Sequence, residues 1–319
     1  MSEAPELSVV IPAMNEEENV HAMHDRLVAA LEGVVDGFEM VWVDDGSSDS
    51  TWEMLTELAA RDPRVRGLSF SRNFGHQTAV TAGVDAARGR AVVIIDADLQ
   101  DPPEVIPDMV AKWREGYEVV FAQREKRDGE TLFKKFTSAA FYRTLRRLAH
   151  IEIPVDTGDF RLIGPKALEA FRAMPEHNRF VRGMVSWIGF PQTAVRFHRH
   201  SRTKGETKYP FKTMLKLALS GFTSFSFVPL RSATWLGVAS SGFAVVYAAL
   251  RLVLSMTGVV AFGSAGLVAL IFFLAGVQLL AVGALGEYVA RVFEEAVRRP
   301  LYLVKEHTDG DQRVLPPNR

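Results

Sequence analysis

Two long stretches without charge near the end of the chain constrain its fold more than any other feature. Residues 232–250 contain no charged side chain, and neither do residues 252–286, with Arg251 alone between them. Because a helix needs roughly 20 apolar residues to cross a bilayer, each stretch is long enough to span a membrane. We therefore predict a transmembrane hairpin with helices at about 232–255 and 262–285. Two buried helices of a soluble protein are the alternative.

Basic residues indicate how this hairpin is oriented. Lysine and arginine are frequent before residue 232 and after residue 286, whereas the hairpin itself contains only Arg251. Cytoplasmic segments next to membrane helices carry an excess of such residues. The first seven residues are polar and acidic, without the apolar run of a signal peptide. We therefore expect an integral membrane protein, with its soluble part and both termini in the cytoplasm.

The first two thirds of the chain have the pattern of a soluble α/β domain. Short β-branched runs alternate with helical patterns. The predicted strands are 7–12, 38–44, 65–69, 91–96 and 118–122. This alternation is typical of a mainly parallel sheet covered by helices on both faces. Asn15, with Glu18 three residues later, has the spacing of a capping box, which predicts that the first helix starts there.

Composition and amphipathic segments complete the division into domains. The net charge of −1 gives no indication of nucleic-acid binding, and the absence of cysteine excludes disulfides and thiolate metal sites. Residues 132–148 and 210–227 combine apolar and basic positions at helical spacing, which indicates interfacial amphipathic helices, although the first also fits an ordinary solvated face. The predicted domains are 1–205 for the α/β domain, 206–231 for an interfacial region, 232–286 for the hairpin and 287–319 for a basic cytoplasmic tail.

Acidic residues follow the predicted strands at the edge where such sheets bind ligands. Asp96 and Asp98 come after a buried strand, and two carboxylates at this spacing can share a divalent cation, with Gln100 as a further oxygen ligand. Asp44 and Asp45 end a neighbouring strand, where they can accept hydrogen bonds from a base or a ribose. The alternatives are surface turn acids for the first pair and capping of the next helix by adjacent side chains for the second.

These motifs resemble those of family 2 glycosyltransferases with the GT-A, Rossmann-like fold. The matching segments are LSVVIPAMNEEENV, VDDGSSDST, SRNFGHQTAV, DADLQDPPE, TGDFRLI, KGETKYPF and GEYVARVFEEAVRRPLY. The likeness covers nearly the whole chain in the same order. It is strongest to the polyprenyl-phosphate branch, which contains dolichol-phosphate mannose synthases and bactoprenol-phosphate glucosyltransferases.

The resemblance implies a membrane glycosyltransferase of cell-envelope biosynthesis, located in the bacterial inner membrane. A sugar would pass, with inversion, from a nucleotide diphosphate donor to a polyprenyl (undecaprenyl) phosphate acceptor. The bactoprenol branch favours UDP-glucose as the donor, although the sugar itself cannot be read from the residues. A divalent cation, Mg²⁺ or Mn²⁺, would assist the reaction, and a homo-oligomer, such as a tetramer, is expected from the resemblance alone.

The resemblance also assigns roles on the donor side. The residues that match nucleotide-sugar ligands are Pro12, Ala13, Asn15, Glu16, Asp44, Asp45, Asp96, Gln100 and Arg124. Within this set the pair at 44 and 45 would bind the base and ribose, and Arg124 would face the phosphates. The cation would be bound by Asp96, Asp98 and Gln100. His76 opens a helix near this site, where we favour a capping or packing role over a contact with the donor.

On the acceptor side, Asp159 matches the proposed catalytic carboxylate of the bactoprenol branch, and Asp98 would act in catalysis as a metal ligand. The basic loop thought to hold the acceptor phosphate corresponds to Arg202, Lys204 and Lys208. Because a phosphate monoester has a second pKa near 6, it carries little proton to remove at neutral pH. Asp159 could therefore serve as a general base, or it could orient the acceptor or a basic side chain.

Two other functions fit the sequence less well. A processive polysaccharide synthase would carry a Q-x-x-R-W motif, which is absent, and two helices are too few for a pore without oligomers. A non-catalytic membrane scaffold would tolerate loss of the D-x-D acids, which are present. Both observations favour the polyprenyl-phosphate glycosyltransferase.

Overall fold

A computed structural model describes residues 4–124, 157–197, 228–256, 264–310 and 314. The chain divides into two compact units. The first contains the sheet, the helices around it and the chain from residue 299 onward, and the second contains the two apolar helices. The amphipathic helices predicted at 132–148 and 210–227 lie outside the described residues.

The first unit is built on one mixed sheet. Its described strands are β1 (Leu7–Ala13), β2 (Phe38–Asp44), β3 (Val65–Phe70), β4 (Ala91–Ile94), β5 (Val119–Arg124), β6 (Thr157–Ile163), β7 (Gln192–Phe197) and β8 (Val304–His307). Their order is β7-β5-β6-β4-β1-β2-β3-β8. The run β4-β1-β2-β3 is parallel and so is the pair β5-β7, whereas β6 and β8 are antiparallel to their neighbours. The predicted fold class, an α/β domain with a mainly parallel sheet, is confirmed.

Helices on both faces bury the central strands, which explains their apolar sequences. Every residue of β1 and of β2 is buried. The helices are α1 (Val20–Leu31), α2 (Thr51–Arg61), α3 (His76–Ala86), α4 (Ile106–Arg114), α5 (Pro165–Ala173) and α6 (Val181–Trp187), with a 3₁₀ turn at Pro103–Val105. Because each crossover returns the chain to the same end of the sheet, the loops after β1, β2 and β4 meet at one edge.

The predicted start of the first helix at Asn15 is wrong. Asn15 has a left-handed φ of 55°, and α1 begins at Val20 with Asn19 as its N-cap. The Asn15 N–H donates to Ser47 Oγ at 2.9 Å, and its side-chain oxygen accepts from the Ser48 N–H at 2.8 Å. Asn15 thus joins the loops after β1 and β2 instead of capping a helix.

The second unit consists of α7 (Val228–Met256) and α8 (Ser264–Val297). Each contains a segment long and apolar enough, by length and composition, to cross a membrane: Ala233–Leu254 in the first and Leu270–Val297 in the second. Large apolar side chains are exposed on both, such as Phe272 at 75%. The rings of Phe243 and Phe273 meet at 6.0 Å between the two helices. The prediction of two apolar helices that could form a hairpin is confirmed.

The chain after α8 returns to the first unit. We call residues 299–310 the C-terminal strap. Within it, β8 adds an antiparallel edge strand to β3, and the Leu303 carbonyl accepts from the Ser71 N–H at 3.0 Å. Thr308 Oγ1 accepts from the Gly67 N–H at 2.7 Å, and Arg66 pairs with Asp309 at 3.1 Å. Part of the segment predicted as a basic tail, 287–319, therefore belongs to the sheet, and its first residues continue α8 to Val297.

Candidate active site

The predicted nucleotide loop lies against the end of β2. Pro12 and Ala13 end β1, and Asn15 and Glu16 follow in the adjoining loop. The Asp45 N–H donates to the Ala13 carbonyl at 2.9 Å, which fixes the two strand ends side by side. The structure therefore brings the first predicted loop next to the predicted nucleoside acids.

Asp44 and Asp45 are buried and hold neighbouring loops in place. Asp44 Oδ1 accepts from the Ser47 N–H at 3.0 Å, and its Oδ2 accepts from Ser69 Oγ at 2.7 Å. Asp45 Oδ1 accepts from the Phe74 N–H at 2.7 Å, and its Oδ2 accepts from the Gly75 N–H at 3.0 Å. Burial raises the pKa of Asp45, and these backbone N–H groups partly offset that effect. A carboxylate has about four lone-pair sites, so both acids retain acceptor capacity.

Gly46 lets the loops after β2 and β3 touch. Its φ is +73°, and a Cβ built there would lie 2.6 Å from the carbonyl carbon of Arg72. Any other residue would push this backbone away, and the segment that follows is the one whose N–H groups bind Asp45. The glycine in the VDDG motif thus allows the close approach of the loops after β2 and β3.

The loop after β4, residues 95–102, carries the predicted metal ligands, and we call it the metal loop. Asp98 Oδ1 accepts from the Gln100 N–H at 3.1 Å, and Leu99 between them has a left-handed φ of 57°. About a third of the Asp96 side chain is exposed, at 36%, yet its Oδ1 is covered. Burial and, to a smaller extent, the carboxylates nearby raise the pKa of Asp96 to about 6, although His76 acts to lower it. Backbone strain and crowded acids are typical of a functional site.

These residues fit a divalent cation. Asp96 Oδ1 is a buried acceptor without a hydrogen-bond donor among the described groups, and Gln100 Nε2 is a buried donor without an acceptor among them. Within the described part of the chain, no group of three or more histidine and carboxylate side chains is arranged so that it could hold a metal ion by itself. Two carboxylates, completed by diphosphate oxygens and water, match the way Mg²⁺ binds at nucleotides. Asp96 and Asp98 are therefore suited to a cation that arrives with its diphosphate.

Asp159 is the centre of a charged cluster beside this loop. It lies on β6, and the antiparallel register that pairs Arg161 with Ile94 runs on toward Asp96. Arg182 Nε donates to Asp159 Oδ1 at 2.7 Å, and Arg182 Nη2 donates to Asp159 Oδ2 at 3.2 Å. His76 Nε2 lies 3.1 Å from Oδ2 and 3.6 Å from Asp96 Oδ1. His76 thus bridges the acid of β6 and the acid of the metal loop.

The cluster keeps Asp159 ionised. Burial raises the pKa of Asp159, but the charge of Arg182 and the hydrogen bonds from His76 and Arg182 hold it well below its usual range. Burial lowers the pKa of Arg161 to about 10, which still leaves the group charged at neutral pH. Burial also lowers the pKa of His76, but Asp159 and Asp96 together raise it to about 9. The side chains in contact with Asp159 are thus mainly cationic.

Three members of this cluster, His76, Gln77 and Arg182, are not assigned to Asp159 by the sequence alone. Of the two roles favoured for His76, capping is wrong because Gly75 is the N-cap, and the His76 ring instead contacts two carboxylates. Arg182 was not singled out, since it carries no motif of its own. Gln77 donates to Asp159 Oδ2 at 3.3 Å and accepts from the Val181 N–H at 2.9 Å, which ties α6 to the site. The position of His76 and Gln77 within the matched SRNFGHQ segment was the one usable signal.

Of the other predicted basic residues, the structure describes one. Arg124 is the last residue of β5, and its backbone pairs with Phe197 of β7. Arg202, Lys204 and Lys208 lie outside the described residues, so their assignment to the acceptor phosphate stays a prediction.

Comparison with known proteins places this site in a family. The family model described as glycosyl transferase family 2 matches residues 8–172, which include the loops after β1, β2 and β4 and the cluster residue Asp159. The chain belongs to glycosyltransferase family 2. It is therefore a glycosyltransferase, as predicted.

Relatives of this glycosyltransferase match over nearly its whole length. An uncharacterized glycosyltransferase of Bacillus subtilis is 48% identical over 96% of this chain and 95% of the relative. The prophage bactoprenol glucosyl transferase homolog of Escherichia coli is 38% identical over 94% of this chain and 98% of the relative. The bactoprenol glucosyl transferase of Shigella phage SfII is 37% identical over 96% and 99%. The resemblance to the bactoprenol branch of the family is thus confirmed.

Proposed function

We propose that this glycosyltransferase moves a sugar from a nucleotide diphosphate, UDP-glucose in the first instance, to undecaprenyl phosphate. One observation carries the proposal. His76 joins the metal loop at Asp96 to the buried Asp159–Arg182 pair, so that a site for a diphosphate lies beside a cationic site for a second phosphate. The near full-length likeness to proteins named bactoprenol glucosyl transferase supports the same acceptor.

On the donor side, Asp96 and Asp98 would hold Mg²⁺ or Mn²⁺, with Gln100 beside them. When bound, the cation supplies positive charge to the leaving nucleotide diphosphate. Asp44 and Asp45 would bind the nucleoside from the neighbouring strand end. Their present hydrogen bonds to Ser69 and to the Phe74 N–H keep both carboxylates fixed before the donor arrives.

On the acceptor side, we infer that Asp159 orients cations instead of removing a proton. Its two oxygens already accept from Arg182, His76 and Gln77, and its depressed pKa makes it a weak base. A phosphate monoester is mostly dianionic at neutral pH and needs no base. The harder problem is repulsion between two anionic substrates. Arg182, with 27% of its side chain exposed, is well suited to reduce that repulsion.

The strap supports the predicted membrane topology. β7 precedes α7, β8 follows α8, and both strands belong to the same sheet. If α7 and α8 cross a membrane, the chain must therefore cross and return. The soluble domain and the strap would then share one side, which we propose is the cytoplasm.

The function is tested with detergent-purified protein, by release of nucleotide diphosphate from a panel of UDP- and GDP-sugars. The panel is run with Mg²⁺ or Mn²⁺, and with or without undecaprenyl phosphate. We expect turnover that requires both the metal and the lipid phosphate and adds one sugar to each lipid. Activity without the lipid, or a glycan that grows in length, would contradict the acceptor and leave only the donor site standing.

The topology is tested by cysteine labelling, which is simple because the chain has no cysteine. Single variants Asp25→Cys in the soluble domain, Gly258→Cys between the two helices and Val314→Cys after the strap are expressed in cells. A membrane-impermeant maleimide is expected to label Gly258→Cys in intact cells, and the other two only after lysis. Labelling of Val314→Cys in intact cells, with Asp25→Cys protected, would refute the hairpin.

A further inference from the structure

The C-terminal strap reaches the part of the site that holds the nucleoside acids. Strand β8 pairs with the last residues of β3, with Val304 opposite Phe70 and Glu306 opposite Ser69. Ser69 donates to Asp44 Oδ2 at 2.7 Å. The strand covered by the strap is therefore the one that fixes the first of the two acids.

A row of aromatic rings leads from the strap to the second acid. Tyr302, 2% exposed, stacks on Phe70 with ring centroids 5.1 Å apart and planes at 21°. Phe70 meets Phe74 edge to face at 5.6 Å. The Phe74 N–H donates to Asp45 Oδ1 at 2.7 Å. Three rings thus connect the strap to the backbone that holds Asp45.

Hydrogen bonds fix both ends of this row. The Leu303 carbonyl accepts from the Ser71 N–H at 3.0 Å, directly after β3. Tyr302 Oη donates to Asp85 Oδ2 on α3 at 3.5 Å, and α3 also carries His76. Tyr302 therefore contacts the strand before the loop of residues 71–75 and the helix after it.

We propose that Tyr302 is a positioning residue for the nucleotide-sugar site, which it shapes through Phe70 and Phe74 without touching the ligand. The inference rests on the proposed role of Asp45 as a nucleoside ligand. Without the Tyr302 ring, Phe70 and Phe74 can shift, and the N–H groups that aim the Asp45 carboxylate move with them. The strap would thus influence use of the donor and leave binding of the lipid phosphate unchanged.

The test compares Tyr302→Ala and Tyr302→Phe with the wild-type protein. Affinity for UDP in the presence of Mn²⁺ is measured by titration calorimetry, and KM is measured for the nucleotide sugar and for the lipid phosphate. We expect Tyr302→Ala to weaken UDP binding about tenfold, or about 1.4 kcal/mol. Tyr302→Phe, which keeps the stacked ring, should stay within about twofold of wild type. The KM for lipid phosphate should not change.

Thr308→Val is the matched control within the strap. It removes the acceptor for the Gly67 N–H but lies away from the aromatic row, so it should lower Tm and leave UDP affinity intact. If Tyr302→Ala does not fold, Tyr302→Leu replaces it, because leucine keeps apolar volume without the flat ring.

Unchanged UDP affinity in Tyr302→Ala would overturn the proposal. Equal losses toward UDP and lipid phosphate would also overturn it, since they would indicate general unfolding. Because UDP binding needs no acceptor, failure of the wild-type protein to glycosylate a lipid would refute the proposed function and leave this test in force.

Discussion

Replacement of Asp96 by asparagine is expected to lower kcat at least a hundred-fold, about 2.7 kcal/mol of transition-state stabilisation. The amide keeps the shape of the carboxylate but loses the charge that would hold the cation beside Asp98. With Mn²⁺ and UDP, wild-type Tm should rise and variant Tm should rise less, because ligands stabilise only the protein that binds them. Turnover assays and thermal melts at several metal concentrations measure both effects.

Folding itself should not suffer from this change. Burial raises the pKa of Asp96 to about 6, so above pH 6 the ionised carboxylate lowers the free energy of unfolding. The neutral amide of asparagine removes this destabilisation. Without metal, the Tm of Asp96→Asn at neutral pH should therefore equal or exceed that of wild type. Asp108→Asn, an exposed acid in the first turn of α4, is the matched control and should keep full activity. Wild-type turnover in Asp96→Asn would eliminate the metal loop from the mechanism.

The second large effect is expected at Asp159 and Arg182. Asp159→Asn and Arg182→Gln should each lower kcat/KM for the lipid phosphate about a hundred-fold, because each removes the ion pair that aims the guanidinium. If Asp159 acts through Arg182, the double variant should lose no more than the worse single variant. A general base acting independently would instead give losses that multiply to about ten thousand-fold. Steady-state kinetics on the three variants decide between these roles.

Stability provides a second readout at this cluster. Asp159→Asn leaves the buried Arg161, 4% exposed, without its counter-charge, and removing one partner of a buried pair costs about 3–5 kcal/mol. Its Tm should fall, and the kinetics must be measured below that temperature. Arg61→Gln, an exposed arginine on α2 with 72% of its side chain accessible, is the control for loss of a guanidinium and should change neither Tm nor kcat appreciably.

Local sequence patterns were sufficient for the sheet and for the position of the acids after β4. The run AVVII is buried, and acids directly after such a strand are expected at the ligand edge of the sheet, so the positions of Asp96 and Asp98 could be predicted from neighbouring residues alone. Asn15 shows the limit of this approach. Its spacing to Glu18 fits a capping box, but Asn15 instead forms hydrogen bonds with Ser47 and Ser48, more than thirty residues away.

The Asp159 cluster depends on contacts that no local pattern contains. His76 and Asp159 are 83 residues apart, and Arg182 lies 23 residues beyond Asp159 on a helix of seven residues. They meet because β6 is inserted antiparallel between β4 and β5, a topology that alternation of strands and helices does not specify. β8 also depends on a distant contact, its pairing with β3, because its short sequence VKEH is too polar to predict a strand.

The position of β8 has a consequence for biogenesis. It is the last described strand of the sheet, and its partner β3 is synthesised more than two hundred residues earlier. Until ribosomes have delivered both apolar helices, the edge of β3 remains open, and an open edge is a template for aggregation. The soluble domain can therefore complete itself only after the hairpin has left the ribosome and the chain has turned back. Nascent chains interrupted within the two helices would keep this edge exposed, which would offer chaperones and proteases a direct mark of an incomplete chain.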